Sequence, residues 1–410
     1  MLNSGQEVIC KLAVDWYKNS SEQVFQFEGP AGSGKTYLIY EILKRIGLHP
    51  SMYMPMAYTG QASIVMRARG FSTARSIHSS LYEVVEIPDY NNINTQFGIP
   101  RKKKEFKLRE RIEPGIRLFF IDEGYMVPKY MVKDILKFGI KVIVCGDSHQ
   151  LPPIGDEPGF LTGYGIHRLT ELMRQSEHDP IVYLANRAMN GLPIHTGLYG
   201  NSVLVIEDKD LIPQMLGFAD TVICGTNRTR ETMNQYVRQI ANINTDLPRF
   251  GERIICRNNN WNLQQDGIAL ANGLCGTVVS NPDPTCYNGK VFNVCFKPDL
   301  VNTVFYDVPI NYEYFKAPYE QKIEMKDNAK WMMGEMFEYA YSITTHLAQG
   351  GEYQKGIYIE EFLRPQIQNQ LNYTGITRFK QGMIYVKKTN KYIYIPNTEN
   401  IFSKGVDLNG

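Results

Sequence analysis

Cysteine pairs at metal-ligand or redox spacing are missing from this chain. Seven cysteines stand at 10, 145, 224, 256, 275, 286 and 295, and no two form a CxxC pair. An odd number at such wide spacing argues against a disulfide framework and against a zinc site. Four of them follow or sit among β-type residues, where they act as small core hydrophobes. No apolar run approaches the ~20 residues of a bilayer-spanning helix. The N-terminus has neither the basic start nor the apolar stretch of a signal peptide. A reducing, non-membrane compartment fits. Charge of one sign is scarce too: 44 Lys and Arg face 42 Asp and Glu, a formal net charge of +2. Net charge therefore announces no polyanion partner, and any such site must be local. What remains is a soluble globular composition, 43% hydrophobic and 21% charged over 410 residues. That length allows two or more domains with substantial cores. The 26 Tyr and 19 Phe are stacking platforms or ordinary packing residues.

The strongest local signal is residues 27–36, FEGPAGSGKT. An apolar run, Val24-Phe25-Gln26-Phe27, leads into Gly29-x4-Gly34-Lys35-Thr36, and Leu38, Ile39, Ile42, Leu43 and Ile46 follow at helical spacing. This is strand, glycine-rich turn and helix, the context the phosphate-binding loop requires. Gly29, Pro30, Ala31, Gly32, Ser33 and Gly34 let the backbone curl so that N–H groups face inward. The helix adds its positive end. Lys35 reaches the β/γ-phosphates of ATP, and Thr36 is placed to hold Mg²⁺.

A helix is expected over 4–17, with Ser4 and Glu7 as a capping box. Gln6 lies in its first turn, with an amide suited to an adenine edge or to plain solvation. A second strand over 51–56 precedes Thr59-Gly60-Gln61-Ala62, where a helix N-terminus either holds a backbone phosphate or is simply capped. Residues 73–83 contain Thr73, Arg75 and His78. Residues 86–113 break the α/β rhythm and suggest a projecting hairpin, with Arg101-Lys102-Lys103-Lys104 as a basic run. In RLFFIDE the buried-strand pattern ends in Asp122 and Glu123, placing two carboxylates at the crevice of a parallel sheet. Asp122 then serves the metal, and Glu123 orients or deprotonates water. KVIVC (141–145) is the next strand, followed by Gly146-Asp147-Ser148-His149-Gln150. The strand–loop–helix plan repeats around 220–240. The texture turns β-rich and turn-rich from 251 to about 330, which suggests a barrel-like all-β insertion, and α/β pattern returns at 337–343.

In order, the motifs are GPAGSGKT (29–36), YTGQA (58–62), SIHSSL (76–81), FIDE (120–123), GDSHQLPP (146–153), LTELMRQ (169–175), THLAQGGE (345–352) and YTGITR (373–378). This ordered set resembles the superfamily 1 helicases of the RecD-like, 5′-to-3′ branch, most closely the compact phage form. The resemblance implies an α/β fold with two RecA-like P-loop NTPase domains, a hairpin insertion and an SH3-like insertion. The expected divisions are 1–85 plus 114–175 for the first motor domain, 86–113 for the hairpin, 176–255 plus 336–400 for the second motor domain, and 256–335 for the SH3-like part. It implies an ATP-dependent helicase moving 5′ to 3′ on single-stranded DNA, or alternatively a DNA-stimulated ATPase that does not unwind.

Carried onto this chain, the resemblance gives Lys35, Asp122, Glu123, Gln150, Arg174 and Arg378 catalytic roles, the last two as arginine fingers. Gln6, Gly350 and Glu352 join the phosphate loop at the nucleotide, and Thr36 and Asp122 hold Mg²⁺. Thr59, Gly60, His78, Thr345 and His346 belong to the DNA track or its link to ATP. Implied partners are single-stranded and forked DNA, with a single-strand-binding protein or replisome component, and no membrane. A functional monomer in the cytoplasm of a bacterial host is expected if the chain is phage-encoded. Three positions depart from the family: Gly124-Tyr125-Met126 follows the paired carboxylates where a small residue, Ser and Met are usual, Leu347 stands where Lys is usual, and Gly351 where Ser is frequent.

Overall fold

Short apolar runs bounded by glycine and polar turns become strands buried on both faces. The computed structural model describes residues 2–94, 99–170, 179–283, 289–327 and 333–389. Its first part contains β1 (Val24–Glu28), β2 (Tyr53–Ala57), β3 (Arg75–Ser76), β4 (Tyr82–Asn94), β5 (Ile99–Leu108), β6 (Leu118–Asp122), β7 (Lys141–Gly146) and β8 (Ile166–Arg168). Six of these form one parallel sheet in the order β3-β2-β6-β7-β1-β8. Side chains alternate between its faces. Phe119, Ile121, Val142 and Val144 pack with Met131 and Ile135 of helix Lys129–Leu136. Leu118, Phe120, Ile143 and Cys145 pack with Ile9, Ala13, Leu38 and Ile42 of helices Ser4–Asn19 and Lys35–Ile46. Each such fully buried aliphatic or aromatic side chain contributes about 1.5–3 kcal/mol. The expected first helix is present, but its cap differs. Asn3, not Ser4, is the N-cap, and Gln6, not Glu7, closes the capping box.

β4 and β5 pair antiparallel as the expected hairpin, beginning at Tyr82 opposite Leu108. Downstream, β9 (Gly197–Tyr199), β10 (Val203–Glu207) and β11 (Thr221–Cys224) start a second sheet. The chain then leaves it for an insertion with β12 (Arg253–Cys256), β13 (Asn260–Gln265), β14 (Ile268–Leu270), β15 (Cys275–Val278), β16 (Val291–Pro298), β17 (Phe305–Asn311) and β18 (Phe337–Tyr339). It returns as β19 (Ser342–Thr344), β20 (Tyr353–Glu360) and β21 (Phe379–Lys387). The second sheet has the order β19-β11-β20-β21-β10-β9 and is parallel except for β9.

In the insertion the antiparallel order is β17-β16-β15-β12-β18. Glu335, just before β18, bonds back to β17: its N–H donates to Pro309 O (2.6 Å) and its carbonyl accepts from Asn311 N (2.9 Å). The sheet thus curls to meet itself, as barrel-like patterning implies. It is not all-β, because helices Tyr312–Lys316 and Tyr319–Asp327 follow β17. The apparent return at 337–343 is two strands: β18 belongs to the barrel and β19 to the second parallel sheet. β13 and β14 form a separate ribbon. Cys10, Cys145, Cys224, Cys256 and Cys275 are buried free thiols, Cys295 is a half-buried one, and Cys286 lies outside the described residues. No described helix is long and apolar enough to cross a membrane.

Candidate active site

The carboxyl ends of β1, β6 and β7 converge on one cleft. At β1 the Gly29 N–H donates to Gly146 O (3.1 Å), tying the glycine loop to the neighbouring strand. Gly32 and Gly34 adopt φ of 82° and 77°, conformations that side chains resist. A Cβ on Gly29 would lie 2.5 Å from Ser33 Oγ, which is buried without a hydrogen-bond partner. Lys35 Nζ donates to Gly29 O (2.7 Å) and Pro30 O (3.2 Å), so its ammonium sits at the mouth of the loop.

At β6 the Asp122 Oδ1 accepts from Glu123 N (2.9 Å) and from the Cys145 thiol (3.1 Å). These bonds orient the carboxylate. Glu123 has φ of 52°, a strained backbone of the kind that collects at functional sites. Burial pushes its carboxyl up, with the Asp122 charge adding and the Arg378 and Lys35 charges opposing. Gly124 permits this turn: a Cβ there would come within 2.2 Å of Val144 Cγ1. Tyr125 is half-buried against the core beside it.

From the second sheet, Arg378 approaches. It is 5% exposed, and its Nη1 lies 3.9 Å from Glu123 Oε1. Its Nε donates to Thr374 O (3.1 Å), Nη2 to Thr377 Oγ1 (3.1 Å) and Nη1 to Gly351 O (3.4 Å). Gln150, after β7, is buried, and its Oε1 has no hydrogen-bond partner. Gly350 packs so closely on the first domain that a Cβ would lie 2.4 Å from Ala62 Cβ. Together these groups line a cleft of about 560 Å³, within the size range of ligand pockets. Arg174 lies outside the described residues.

Three side chains here carried no signal of their own in the sequence. Arg69 Nη1 donates to Thr36 Oγ1 (2.7 Å), and its Nη2 pairs with Glu352. Lys380 Nζ pairs with Glu352 too, at 2.6 Å. Burial opposes the Glu352 charge, but Lys380 and Arg69 win and hold its carboxyl low. The Tyr373 hydroxyl donates to Asp147 Oδ2 (2.5 Å) and accepts from the phosphate-loop Ala31 N–H (3.0 Å). Asp147 is held low despite burial, by the His149 hydrogen bond, the Lys35 charge and Tyr373. The same bond raises the His149 imidazole. Only the third dimension brings these partners together, since 226 positions separate Tyr373 from Asp147.

Gln6 is placed beside the phosphate loop, but by other bonds than adenine recognition. Its Oε1 accepts from Asn3 N (3.1 Å) and its Nε2 donates to Ser33 O (2.9 Å). Among the residues expected on a DNA track, Thr59 caps helix Gly60–Ala68, accepting from Ala62 N (3.1 Å). Gly60 is buried against the insertion, where a Cβ would lie 2.7 Å from Ala271 Cβ. Thr345 is fully buried, and its hydroxyl donates to Cys224 O (3.1 Å). Gly60 and Thr345 are thus both buried within the fold. His78 and His346 are half-buried, and burial lowers both imidazoles. His78 joins an aromatic chain with Tyr58 (6.0 Å), Phe106 of the hairpin (6.0 Å) and, beyond it, Trp261 of the insertion (4.9 Å from Phe106). Leu347 packs against the second-sheet core, which suits an apolar residue. At Gly351 a Cβ would sit 3.1 Å from Ala348 O.

These residues fit Mg²⁺-ATP. A loop with two left-handed glycines, the ammonium of Lys35 and the guanidinium of Arg378 make an anion cradle. Asp122 and Thr36 offer hard oxygens at its edge.

A family model described as an AAA domain matches residues 1–197. Solved structures of Pif1 helicases align with almost the whole chain. One from Bacteroides, in complex with ADP-AlF3 and ssDNA, is 17% identical with a TM-score of 0.55, covering 98% of this chain and 96% of that one. Another from Candida albicans is 16% identical with a TM-score of 0.53 and covers 98% of each chain. A third, from work on DNA unwinding at forked dsDNA by two coordinating Pif1 helicases, is 18% identical with a TM-score of 0.56 and covers 98% of this chain and 96% of that one. The chain shares its fold with these solved structures. An uncharacterized protein, R530, of Acanthamoeba polyphaga mimivirus is 25% identical over 201 residues, 44% of this chain. The matched stretch spans 40% of that relative's length.

Proposed function

We propose that this chain is an ATP-dependent DNA helicase that moves 5′ to 3′ on single-stranded DNA. The observation that carries the reading is Arg378, reaching from the second sheet to within 3.9 Å of Glu123 at the end of β6 in the first. A cleft completed only when two domains meet is what couples hydrolysis to domain motion. The proposed division is two motor domains, a hairpin and an insertion that runs from β12 to β18. Bound Mg²⁺-ATP supplies the γ-phosphoryl group and a metal that screens its charge. Lys35 and the loop amides hold the phosphates. Asp122 and Thr36 hold the metal. Glu123 takes the proton of the attacking water or orients it. Arg378 meets the charge that develops across the cleft, and Gln150 lies where it senses the γ-position. We place Gln6 near the base and His346 near the strand. Forked and single-stranded DNA are the partners, gripped through phosphates and therefore salt-dependently. The Pif1 relatives, whose structures contain ssDNA or concern forked dsDNA, support this choice over a non-unwinding ATPase.

The test is strand separation on forked duplexes carrying only a 5′ or only a 3′ tail, with Lys35→Ala as the control that removes hydrolysis. Separation from the 5′ tail alone is expected. Separation from the 3′ tail overturns the polarity. DNA-stimulated ATPase with no separation from either tail selects the non-unwinding alternative.

A further inference from the structure

Among the described residues, four cations line the nucleotide cleft: Lys35, Arg69, Arg378 and Lys380. Asp122, Glu123 and Glu352 face them, and Asp147 behind the loop is engaged by His149 and Tyr373. Lys35 and Arg378 have parts in the proposed hydrolysis, whereas Arg69 has none. Its backbone is firmly placed. Arg69 is the C-cap of helix Gly60–Ala68, and its carbonyl accepts from the Tyr40 hydroxyl (2.5 Å). Tyr40 stacks on Phe71 with ring centroids 4.5 Å apart. Gly70 holds φ of 100°, and a Cβ there would lie 2.2 Å from Tyr40 Oη. A glycine and a tyrosine thus hold the turn from which Arg69 reaches into the cleft.

The head of Arg69 is shared between the two parts of the molecule. Nη1 donates to Thr36 Oγ1 (2.7 Å), and Nη2 pairs with Glu352, just before β20. Lys380 of β21 pairs with the same Glu352 oxygen at 2.6 Å. Glu352 therefore keeps a cation beside it if Arg69 turns away. The Arg69 side chain is 33% exposed, so the turn empties no core. Its bond to Thr36 is the weaker half of the arrangement, because a neutral hydroxyl accepts it. Guanidinium groups bind anionic oxygens more strongly and match the geometry of phosphate.

Thr36 Oγ1 is also the oxygen offered to Mg²⁺. A guanidinium and a dication at one oxygen repel each other unless anionic charge lies between them. The polyphosphate of a nucleotide is such a charge. The empty cleft keeps Arg69 on Thr36, one residue along from Lys35, and a filled cleft offers it a better acceptor. We propose that Arg69 is a further nucleotide-binding residue, which leaves the Thr36 hydroxyl for a phosphate oxygen of the bound nucleotide. This assignment deepens the reading of the cleft as the Mg²⁺-ATP site and rests on it. The phosphates are then met by Lys35 from the loop, Arg69 from the end of a helix and Arg378 from the second sheet.

The experiment needs neither hydrolysis nor DNA. The full chain binds ADP carrying an N-methylanthraniloyl fluorophore, in Mg²⁺ and in EDTA, with unlabelled ADP and adenosine as competitors. Lys35→Ala marks binding at the loop. Arg69→Met keeps the aliphatic stem and removes the charged head. It should weaken ADP binding about tenfold in both conditions and leave adenosine binding within about twofold. Arg69→Lys keeps the charge without the fork and should recover part of the loss. Arg69→Gln serves if the methionine variant does not fold, and circular dichroism checks each chain. Unchanged ADP affinity in Arg69→Met overturns the assignment. Tighter binding does so too, because it makes Arg69 an obstruction at Thr36. Equal losses for ADP and adenosine also overturn it, since they mean a disturbed pocket rather than a lost phosphate contact. If the starting chain binds no ADP, or binds it equally well with Lys35→Ala, the reading of the cleft falls and the assignment with it.

Discussion

At the scale of single residues, the cleft sets two side chains against each other across the domain boundary. Arg378 makes three hydrogen bonds within its own domain, so its head is held in place before any substrate arrives. Pre-positioned cations of this type contribute about 10³-fold or more to phosphoryl transfer. Arg378→Ala should lower kcat by roughly that factor while ATP affinity stays within a few-fold, measured by steady-state hydrolysis beside nucleotide titration. A parallel loss of affinity would mean that Arg378 serves ground-state binding instead. Glu123 gives a pH expectation. Its carboxyl is raised by burial, and only the ionised form accepts a proton from water. Hydrolysis should therefore fall as pH drops through a value above the ordinary carboxylate range. Glu123→Gln should lower kcat by about 10²-fold or more and abolish that acid limb. An unchanged limb in the variant would assign it to another group, of which Asp147 is the poorest candidate because its carboxyl is held low.

At the scale of elements, the hairpin is joined to the insertion by the Phe106–Trp261 ring contact. Neither ring is fully buried, so the contact can be removed without emptying a core. Such pairs are worth about 0.5–1.5 kcal/mol, which is roughly a 2- to 10-fold shift in the docked population. Trp261→Ala should slow separation of forked DNA by about that factor and leave DNA-stimulated ATPase near its starting value. Equal losses in both assays would show that the ribbon acts on the motor rather than on the fork. The elements also show where sequence reasoning succeeds. The loop at 29–36, the FIDE strand end and the Gly146–Gln150 turn were legible because each is local: apolar run, punctuation, then chemistry within a few residues. The helix cap moved by one residue because Asn3 and Ser4 are both competent caps, and only the bond that Gln6 N–H donates to Asn3 Oδ1 decides between them. The helices after β17 were hidden in a β-rich stretch, since Tyr319–Asp327 has almost no one-sided apolar stripe. Arg69, Lys380 and Tyr373 were invisible as site residues because their meaning comes from partners far away in sequence.

At the scale of the whole molecule, the proposed function rests on how firmly the domains built on the two sheets close. The interface is built on the loop after β7. Leu151 N donates to Thr374 Oγ1 (3.0 Å), Gln349 Nε2 donates to Leu151 O (2.8 Å), and Tyr373 reaches both Asp147 and Ala31. Tyr373 is the one of these that touches the phosphate loop itself, so it reports the arrival of the second domain to the nucleotide site. Its ring is 1% exposed, and phenylalanine preserves that packing while removing only the hydroxyl. A hydrogen bond to a charged group contributes about 1.5–3 kcal/mol, equivalent to roughly 10- to 100-fold in an equilibrium constant. Tyr373→Phe should therefore open the cleft more often, with the melting temperature of the chain nearly unchanged. Basal hydrolysis, which needs the same closure to bring Arg378 beside Glu123, should fall about tenfold. Hydrolysis at saturating single-stranded DNA should fall less, because the bound strand adds its own free energy to closure, so the stimulation should rise. The ratio of kcat with and without DNA measures this directly. A preserved ratio in the folded variant would show that the Tyr373 bonds follow closure rather than stabilise it, and that coupling runs instead through Thr374 and Gln349 at the Leu151 backbone.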